Sequence, residues 1–386
     1  AASGSSDRYP LNVRARYVRI LMTQKPDSAV EIRELKVFGN QPFRGTIGSH
    51  SAMIAGNPGS LNGRHWKIRR STEVQGDAAS VSSAGCDVTG WIDASVPGTV
   101  LASYVEAGAV PDPLYADNQL QISEWYFNAD FWYRREFIVP ESYRDRNIRL
   151  NFKGINWKAE VYVNGHFAGR IDGAFTRASF DITGLVNPGE QSVVAVLIKI
   201  NDHPGEATLQ HLNDPDGNGG IIGRDSPTYV SSIGWNWLPT IRGRNTGITD
   251  DVYLSASGRI EIKDPFLTTT LNLPDTTEAS IGLSLDLVNP SKEVLDATLQ
   301  LSCHYFSTGV RITGLQPGEV RQIQLNEDNL PELRIHHPHL WWPNGYGKQQ
   351  LDTLTIVCTE GDDVSDSLRI PFGIRQIEYR YVNSSL

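Results

Sequence analysis

The chain is predicted to be all-β, built from antiparallel sandwiches in succession. Three observations carry that prediction. Short runs of Val, Ile, Leu, Phe and Tyr alternate with polar residues at the period of a half-buried strand. Clusters of Gly, Pro, Asn and Asp separate those runs at the spacing of turns. Amphipathic helical stretches are nearly absent.

The elements follow in chain order. ARYVRILM (15–22) is the first strand-like run. The best helix signal is TVLASYVEAGA, Thr99 to Ala109, preceded by Pro97-Gly98 and closed near Gly108. FWYRREFIVP (131–140) and IRLNFKGI (148–155) read as strands, with Trp132 and Tyr133 in the core. AEVYVNGHFAG (159–169) is the sharpest local pattern. Asn164-Gly165 between alternating apolar runs predicts a type I′ hairpin, because both central residues of that turn need positive φ. SVVAVLIKI (192–200), ASIGLSLDLVN (279–289) and DTLTIVC (352–358) read as further strands.

These elements group into blocks. Residues 1–45, ending in ELKVFGNQPF, are too few for a sandwich of their own and read as the tail of a larger module or a strand pair packed on the next one. Residues 60–258 make one large sandwich. Residues 260–375 have the size of an immunoglobulin-like sandwich, and IKDPFL (262–267) marks the junction. Residues 376–386 begin a further element. No internal repeat or low-complexity segment is visible.

Composition narrows the function. Hydrophobic content of 39% and charged content of 20% place the 386-residue chain among globular proteins, not disordered ones. A net charge of -9 without a concentrated basic patch argues against nucleic acid or an anionic membrane as partner. A neutral ligand such as a carbohydrate suits that balance. No apolar run is long enough for a membrane span. AASGSSDRYP carries no signal-peptide pattern, so a signal has been removed or the chain is a piece of something longer. Cys303 and Cys358 lie in strand-like runs of one block, where they either pair or stay as buried thiols; Cys86 is left over.

Several motifs, in order, resemble the N-terminal, non-catalytic part of glycoside hydrolase family 2. They are DFWYRREFIVP (130–140), AEVYVNGHFAGRIDGAFTRASFDITGLVNPGEQSVVAVLI (159–198), HLWWPNGYGKQQLDTLTI (339–356) and FGIR (372–375). SSIGWNWLPTIRGRNTGITDDVYL (231–254) is similar to the end of the sugar-binding domain in the β-mannosidase and exo-β-glucosaminidase branches. RYVRILMTQKPDSAVEIRELKVFG (16–39) resembles the last strands of a discoidin-like (coagulation factor 5/8 type C) carbohydrate-binding module.

The resemblance implies a jelly-roll, galactose-binding-like β-sandwich followed by an immunoglobulin-like β-sandwich. Members are retaining hydrolases, whose chemistry needs two carboxylates about 5–5.5 Å apart. In the family both are glutamates on a TIM barrel that follows the strand resembled by FGIR. No catalytic residue is therefore assigned to this chain, and the implied partners are a β-linked glycan and the barrel of the same polypeptide. The implied location is secreted or periplasmic.

Residue by residue, the resemblance puts Trp235, Asn236 and Trp237 at the substrate subsite, where the branch carries Trp-Asp-Trp. Aromatic rings stack on sugar faces and a neighbouring polar group fixes a hydroxyl. The Asn236 amide can bond a hydroxyl but supplies no negative charge for an amino sugar. Strand alternation equally allows Trp235 and Trp237 to be core residues on one face. Thr249 stands where branch members often carry Trp. Asp117 and Asn118 match the Asp-Asn pair of a loop facing the active-site entrance, and otherwise read as an Asx turn. Arg242, Arg244 and Asn245 line the same rim, or the arginines make ordinary surface ion pairs.

Two further stretches invite a metal reading. DPDGNGGIIGRD (Asp214 to Asp225) fits a calcium-loop pattern but contains Pro215 and lacks flanking helices. It reads better as a solvated rim loop. In HHPHLWWPNGYG (336–347), Pro338 interrupts the histidine spacing, so the stretch reads as a structural loop. No nucleotide or phosphate fingerprint appears, and neither cofactor nor metal is expected. The rival functions are a stand-alone carbohydrate-binding or cell-surface adhesion module and a structural spacer.

Overall fold

The computed structural model describes residues 59–116, 118–126, 128–203, 206–207, 220–221, 243 and 245–378. All of them belong to one unit, Ser49–Leu386. The discoidin-like tail expected over 1–45 lies outside the described residues.

The first sandwich contains β1 (Gly63–Arg70), β2 (Ile92–Val96), β3 (Phe131–Ile138), β4 (Asn147–Phe152), β5 (Lys158–Val163), β6 (His166–Asp172), β7 (Ala178–Asp181) and β8 (Gln191–Lys199). The two-residue strands β9 (Glu206–Ala207) and β10 (Gly220–Ile221) pair with each other, and β11 (Val252–Ser257) closes the domain. One sheet has the order β2-β1-β3-β8-β5-β6 and the other β11-β4-β7. Their inner faces bury Trp66, Ile68, Phe131, Tyr133, Leu150 and Val196.

Period-2 burial explains most of these strands. In β4 and β5 alternate residues are buried. The central strand β8 is buried continuously from Ser192 to Val196 because both its faces are covered. Its outer face meets the short helix α1 (Ala78–Val81), where Val81, Trp132 and Ala195 form a small second cluster. Trp132 and Tyr133 are both buried, as expected, but on opposite faces: Tyr133 enters the main core and Trp132 the outer cluster.

Local signals behave as the residues dictate. α2 (Val100–Glu106) is capped by Thr99, whose Oγ1 accepts the Ala102 N–H at 3.1 Å. Gly108, at φ 69°, follows it in the left-handed region. Asn164 and Gly165 join β5 to β6 with φ of 48° and 85°, the signs of a type I′ turn. The Asn164 side chain also fastens the hairpin, donating to Leu185 O at 2.7 Å and accepting from Val193 N at 2.8 Å.

The second sandwich contains β12 (Glu261–Leu271), β13 (Glu278–Val288), β14 (Leu295–Ser302), β15 (Ser307–Leu315), β16 (Val320–Leu325), β17 (Arg334–His336), β18 (Asp352–Glu360) and β19 (Asp363–Phe372). One sheet runs β12-β13-β16, with β17 also on β13; the other runs β15-β14-β18-β19. β13 alternates strictly, sending Ile281, Leu283, Leu285 and Leu287 into the core. IKDPFL (262–267) falls within β12, where Asp264 has φ 45° and the register with β13 shifts. Cys303 and Cys358 are free thiols. The ladder sets Cys358 opposite Leu299, four residues from Cys303 along the chain, too far for a disulfide.

Candidate functional site

The segment entering at Gly243 is pinned to one end of the first sandwich by its backbone. Thr246 O accepts from Val100 N and Ile248 O from Gly98 N, both at 2.8 Å. Gly247 and Asn156 exchange both backbone bonds, at 2.9 and 3.1 Å, and Thr249 N donates to Gly154 O at 3.1 Å. Gly247 has to be glycine: a Cβ there would lie 2.4 Å from Gly98 O and 2.8 Å from Thr99 Cα. Asn245, half-buried at φ 50°, sits in the tight turn that Thr246 N closes onto Gly243 O at 3.1 Å. Next along the chain, buried Asp251 accepts from Asn62 Nδ2 at 2.7 Å and pairs with Lys153 Nζ at 2.9 Å.

A second loop, before β3, meets the same helix. Asn118 opens the short helix α3 (Asn118–Gln121) and its amide donates to Asp112 O at 2.9 Å. Asp112 makes an Asx turn in this loop, its Oδ1 accepting from Leu114 N at 2.9 Å. Tyr126 packs edge-on against Tyr104 of α2, with centroids 4.9 Å apart, and against Trp125 at 5.2 Å. The Arg70 guanidinium stacks on the Trp125 ring at 4.6 Å and also donates to Trp125 O. Burial pushes the Tyr104 phenol above its usual range, with Glu73 adding to the effect. At the loop tip Leu114 and Tyr115 are exposed, and Trp125 is half-exposed.

α2 thus lies between the two loops, with Leu101 against Gly243 on one side and Tyr104 against Tyr126 on the other. The ladder brings the ends of the intervening stretch together as well. Asn156 bridges Gly247, while Lys158 two residues on pairs with Lys199. The chain therefore leaves after β8 and returns at Gly243 at one end of the sandwich. That end is polar. Ile200 N donates to Asp130 Oδ1 at 2.8 Å, and Lys158 Nζ sits 4.1 Å over the Trp157 ring and 2.8 Å from Asp202. Asn128 Oδ1, Asn201 Nδ2 and Thr249 Oγ1 are buried without a hydrogen-bond partner among the described residues.

Of the sequence-predicted site residues, Asn118 and Asn245 take the positions given above. Asp117, Trp235, Asn236, Trp237, Arg242 and Arg244 lie outside the described residues, as do Asp214–Gly219 and Ile222–Asp225 of the calcium-like loop. The Arg70–Trp125 stack and the Asp251 anchor had no sequence signal, since their partners are remote in the chain. In the histidine-rich loop, His337 N donates to Thr277 O at 2.7 Å and Trp341 N to Ile374 O at 2.9 Å, which are tethering contacts. Among the described residues no three His, Cys, Asp or Glu side chains converge as a metal site, and no helix is long and apolar enough to cross a membrane.

The fold defines a class of proteins built from successive antiparallel β-sandwiches, the first with a loop-built polar end. The family models make that specific. The glycosyl hydrolase 2 galactose-binding domain-like model matches residues 66–250, and the glycosyl hydrolases family 2 model matches residues 260–375. The chain belongs to glycoside hydrolase family 2. It is 34% identical over 338 residues to the mannosylglycoprotein endo-beta-mannosidase of Lilium longiflorum, covering 81% of this chain and 34% of that protein. It is 30% identical to the exo-beta-D-glucosaminidase of Streptomyces avermitilis, covering 84% of this chain and 33% of that protein. The crystal structure of the Amycolatopsis orientalis exo-chitosanase CsxA superposes with a TM-score of 0.67 at 25% identity, over 85% of this chain and 35% of that one. The chain spans about a third of the length of the relatives it matches.

Proposed function

We propose that the chain is the non-catalytic N-terminal portion of a retaining glycoside hydrolase acting on β-linked sugars, and that the first sandwich supplies one wall of the substrate subsite. One observation carries the reading: α2 fixes two loops side by side, and these are the loops predicted to hold Asp117-Asn118 and to follow Trp235-Asn236-Trp237. In this reading Trp235 and Trp237 stack on the sugar and Asn236 bonds a hydroxyl. Arg242, Arg244, Asn245, Asp117 and Asn118 complete the polar rim. The two glutamates of retaining chemistry lie on the barrel of the same polypeptide, beyond Leu386. The activities of the relatives favour a β-mannoside or β-glucosaminide substrate, and a secreted or periplasmic location belongs to the same reading.

The experiment is to express the full reading frame and measure kcat/KM on a panel of aryl β-glycosides. Trp235→Ala and Trp237→Ala are each expected to lower kcat/KM roughly 10- to 100-fold, with the far-UV circular dichroism unchanged. Unaltered kcat/KM in both variants would sink the subsite role. Glycan affinity without turnover by the full product would make the protein a stand-alone binding module instead.

A further inference from the structure

The loop HHPHLWWPNGYG (336–347) builds an apolar pocket on the second sandwich. Two glycines let its indoles lie close against backbone. A Cβ on Gly347 would stand 2.7 Å from the Trp342 ring, and one on Gly373 would stand 2.9 Å from Trp341 Cβ. Trp342 N donates to Lys348 O at 2.9 Å and Tyr346 N to Pro343 O at 3.0 Å. The Gln349 amide donates to Trp342 O and Gly347 O, both at 3.1 Å. The pocket so formed has a volume of about 270 Å³ and is walled by Leu271, Leu340, Trp341 and Ile374. Trp342, Tyr346 and Ile377 also line it, yet they are 44%, 80% and 59% exposed. Bulky apolar groups left open around a preformed pocket mark a contact surface.

The chain leaves the second sandwich through the wall of this pocket. Past β19, Ile374 bridges Leu340 in parallel. The Thr269 hydroxyl donates to Arg375 O at 3.2 Å, and Leu271 N donates to the Gln376 side chain at 2.6 Å. The Arg375 guanidinium lies 4.7 Å from the centroid of the Trp341 ring. Residues 374–376 are thereby stitched between β12 and the tryptophan loop, so polypeptide that follows Glu378 starts at the pocket rim. A domain tethered that closely meets the pocket at high effective concentration, whereas a separate protein must overcome the entropy of association. The relatives are long enough to carry such a domain, being about three times the span matched here.

We propose, resting on the function above, that this pocket is the seat of the domain that follows in the same polypeptide, which inserts an apolar side chain against Trp342 and Tyr346. The pocket has room for a bulky side chain, and its lining asks for an apolar one. Seating it buries the exposed rings at the mouth and makes the second sandwich a fixed base for the next domain.

The test compares the 386-residue chain with the product of the full reading frame by hydroxyl-radical footprinting. Trp342 and Tyr346 are expected to oxidise roughly fivefold more slowly in the full product, as rings at a dry contact should. Tyr346→Asp and Ile377→Asp change exposed positions, so each should leave melting of the 386-residue chain within about 1 °C of its parent. In the full product each should lower the melting temperature by about 3 °C or more. Equal oxidation of both rings in the two proteins overturns the seat, and so does full-product melting unmoved by either substitution. Turnover of aryl β-glycosides together with equal oxidation sinks the seat alone, whereas shielded rings without turnover sink the hydrolase reading alone. A reading frame that adds no domain overturns both.

Discussion

Arg149 Nε lies 2.7 Å from Glu261 Oε1, and the two side chains are only 19% and 4% exposed. The pair joins β4 of the first sandwich to β12 of the second, across 112 residues of chain. Buried pairs of this kind cost little to replace together and much to break singly, because the survivor is an uncompensated buried charge. Lys263 remains 3.1 Å from Glu261, so Arg149→Met is expected to destabilise the chain by about 1–3 kcal/mol, whereas Arg149→Met with Glu261→Leu falls within roughly 1 kcal/mol of wild type. Urea midpoints of the three proteins check this. Equal losses in the single and double variants would show that packing, not charge, sets the cost.

Gly247→Ala tests the frame of the candidate site. Its Cβ would meet the backbone of Gly98 and Thr99, which cannot swing away like a side chain. A loss of about 2 kcal/mol or more is expected, read as a melting-temperature drop. On the proposed function, the same change in the full reading frame should lower kcat/KM by more than Thr99→Ala, which removes only the α2 cap and costs about 1 kcal/mol.

The Asn164 hairpin separates backbone strain from side-chain bonding. Asn164→Ala places alanine at φ 48° and deletes the bonds to Leu185 O and Val193 N, for an expected loss of about 2–4 kcal/mol. Asn164→Gly removes the strain but not the missing bonds, so it should recover about 1 kcal/mol of that. Chemical denaturation of the two variants side by side measures the difference. A glycine variant no better than alanine would mean that the turn geometry costs nothing here.

The cysteines give a chemical prediction. Burial, reinforced by Asp366 and Glu360, pushes the Cys358 thiol up to about 12, and burial also raises Cys303. At about pH 8 the Cys358 thiolate is scarce, and the thiolate is the reactive form. Native alkylation is expected to leave Cys358 unmodified, and unfolding without reductant should expose all three cysteines to the reagent. Intact-mass measurement decides it, and a disulfide would appear as two cysteines that stay blocked until reduced.

Much of the fold was legible because it obeys rules that act over a few residues. Alternation marked β4, β5 and β13, Asn164-Gly165 marked its turn, and Thr99 marked the start of α2. The candidate site was legible only in outline. Asn118 and Asn245 sit in segments that flank α2, Asp112 makes an Asx turn ahead of Asn118, and that loop is held by Tyr104 and Arg70 from elsewhere in the chain. Neither contact follows from a local pattern, because each joins residues that only folding brings together.

By itself the sequence determined the kind of protein: strand period, turn chemistry and ordered family motifs all act locally and survive in a one-dimensional string. The tertiary structure decided how those strands are used. It put Trp132 and Tyr133 into separate clusters, kept Cys303 and Cys358 apart, and set Glu261 between Arg149 and Lys263. The physical reason is that burial and charge compensation depend on what covers a residue, and the covering residues come from strands far away in the chain.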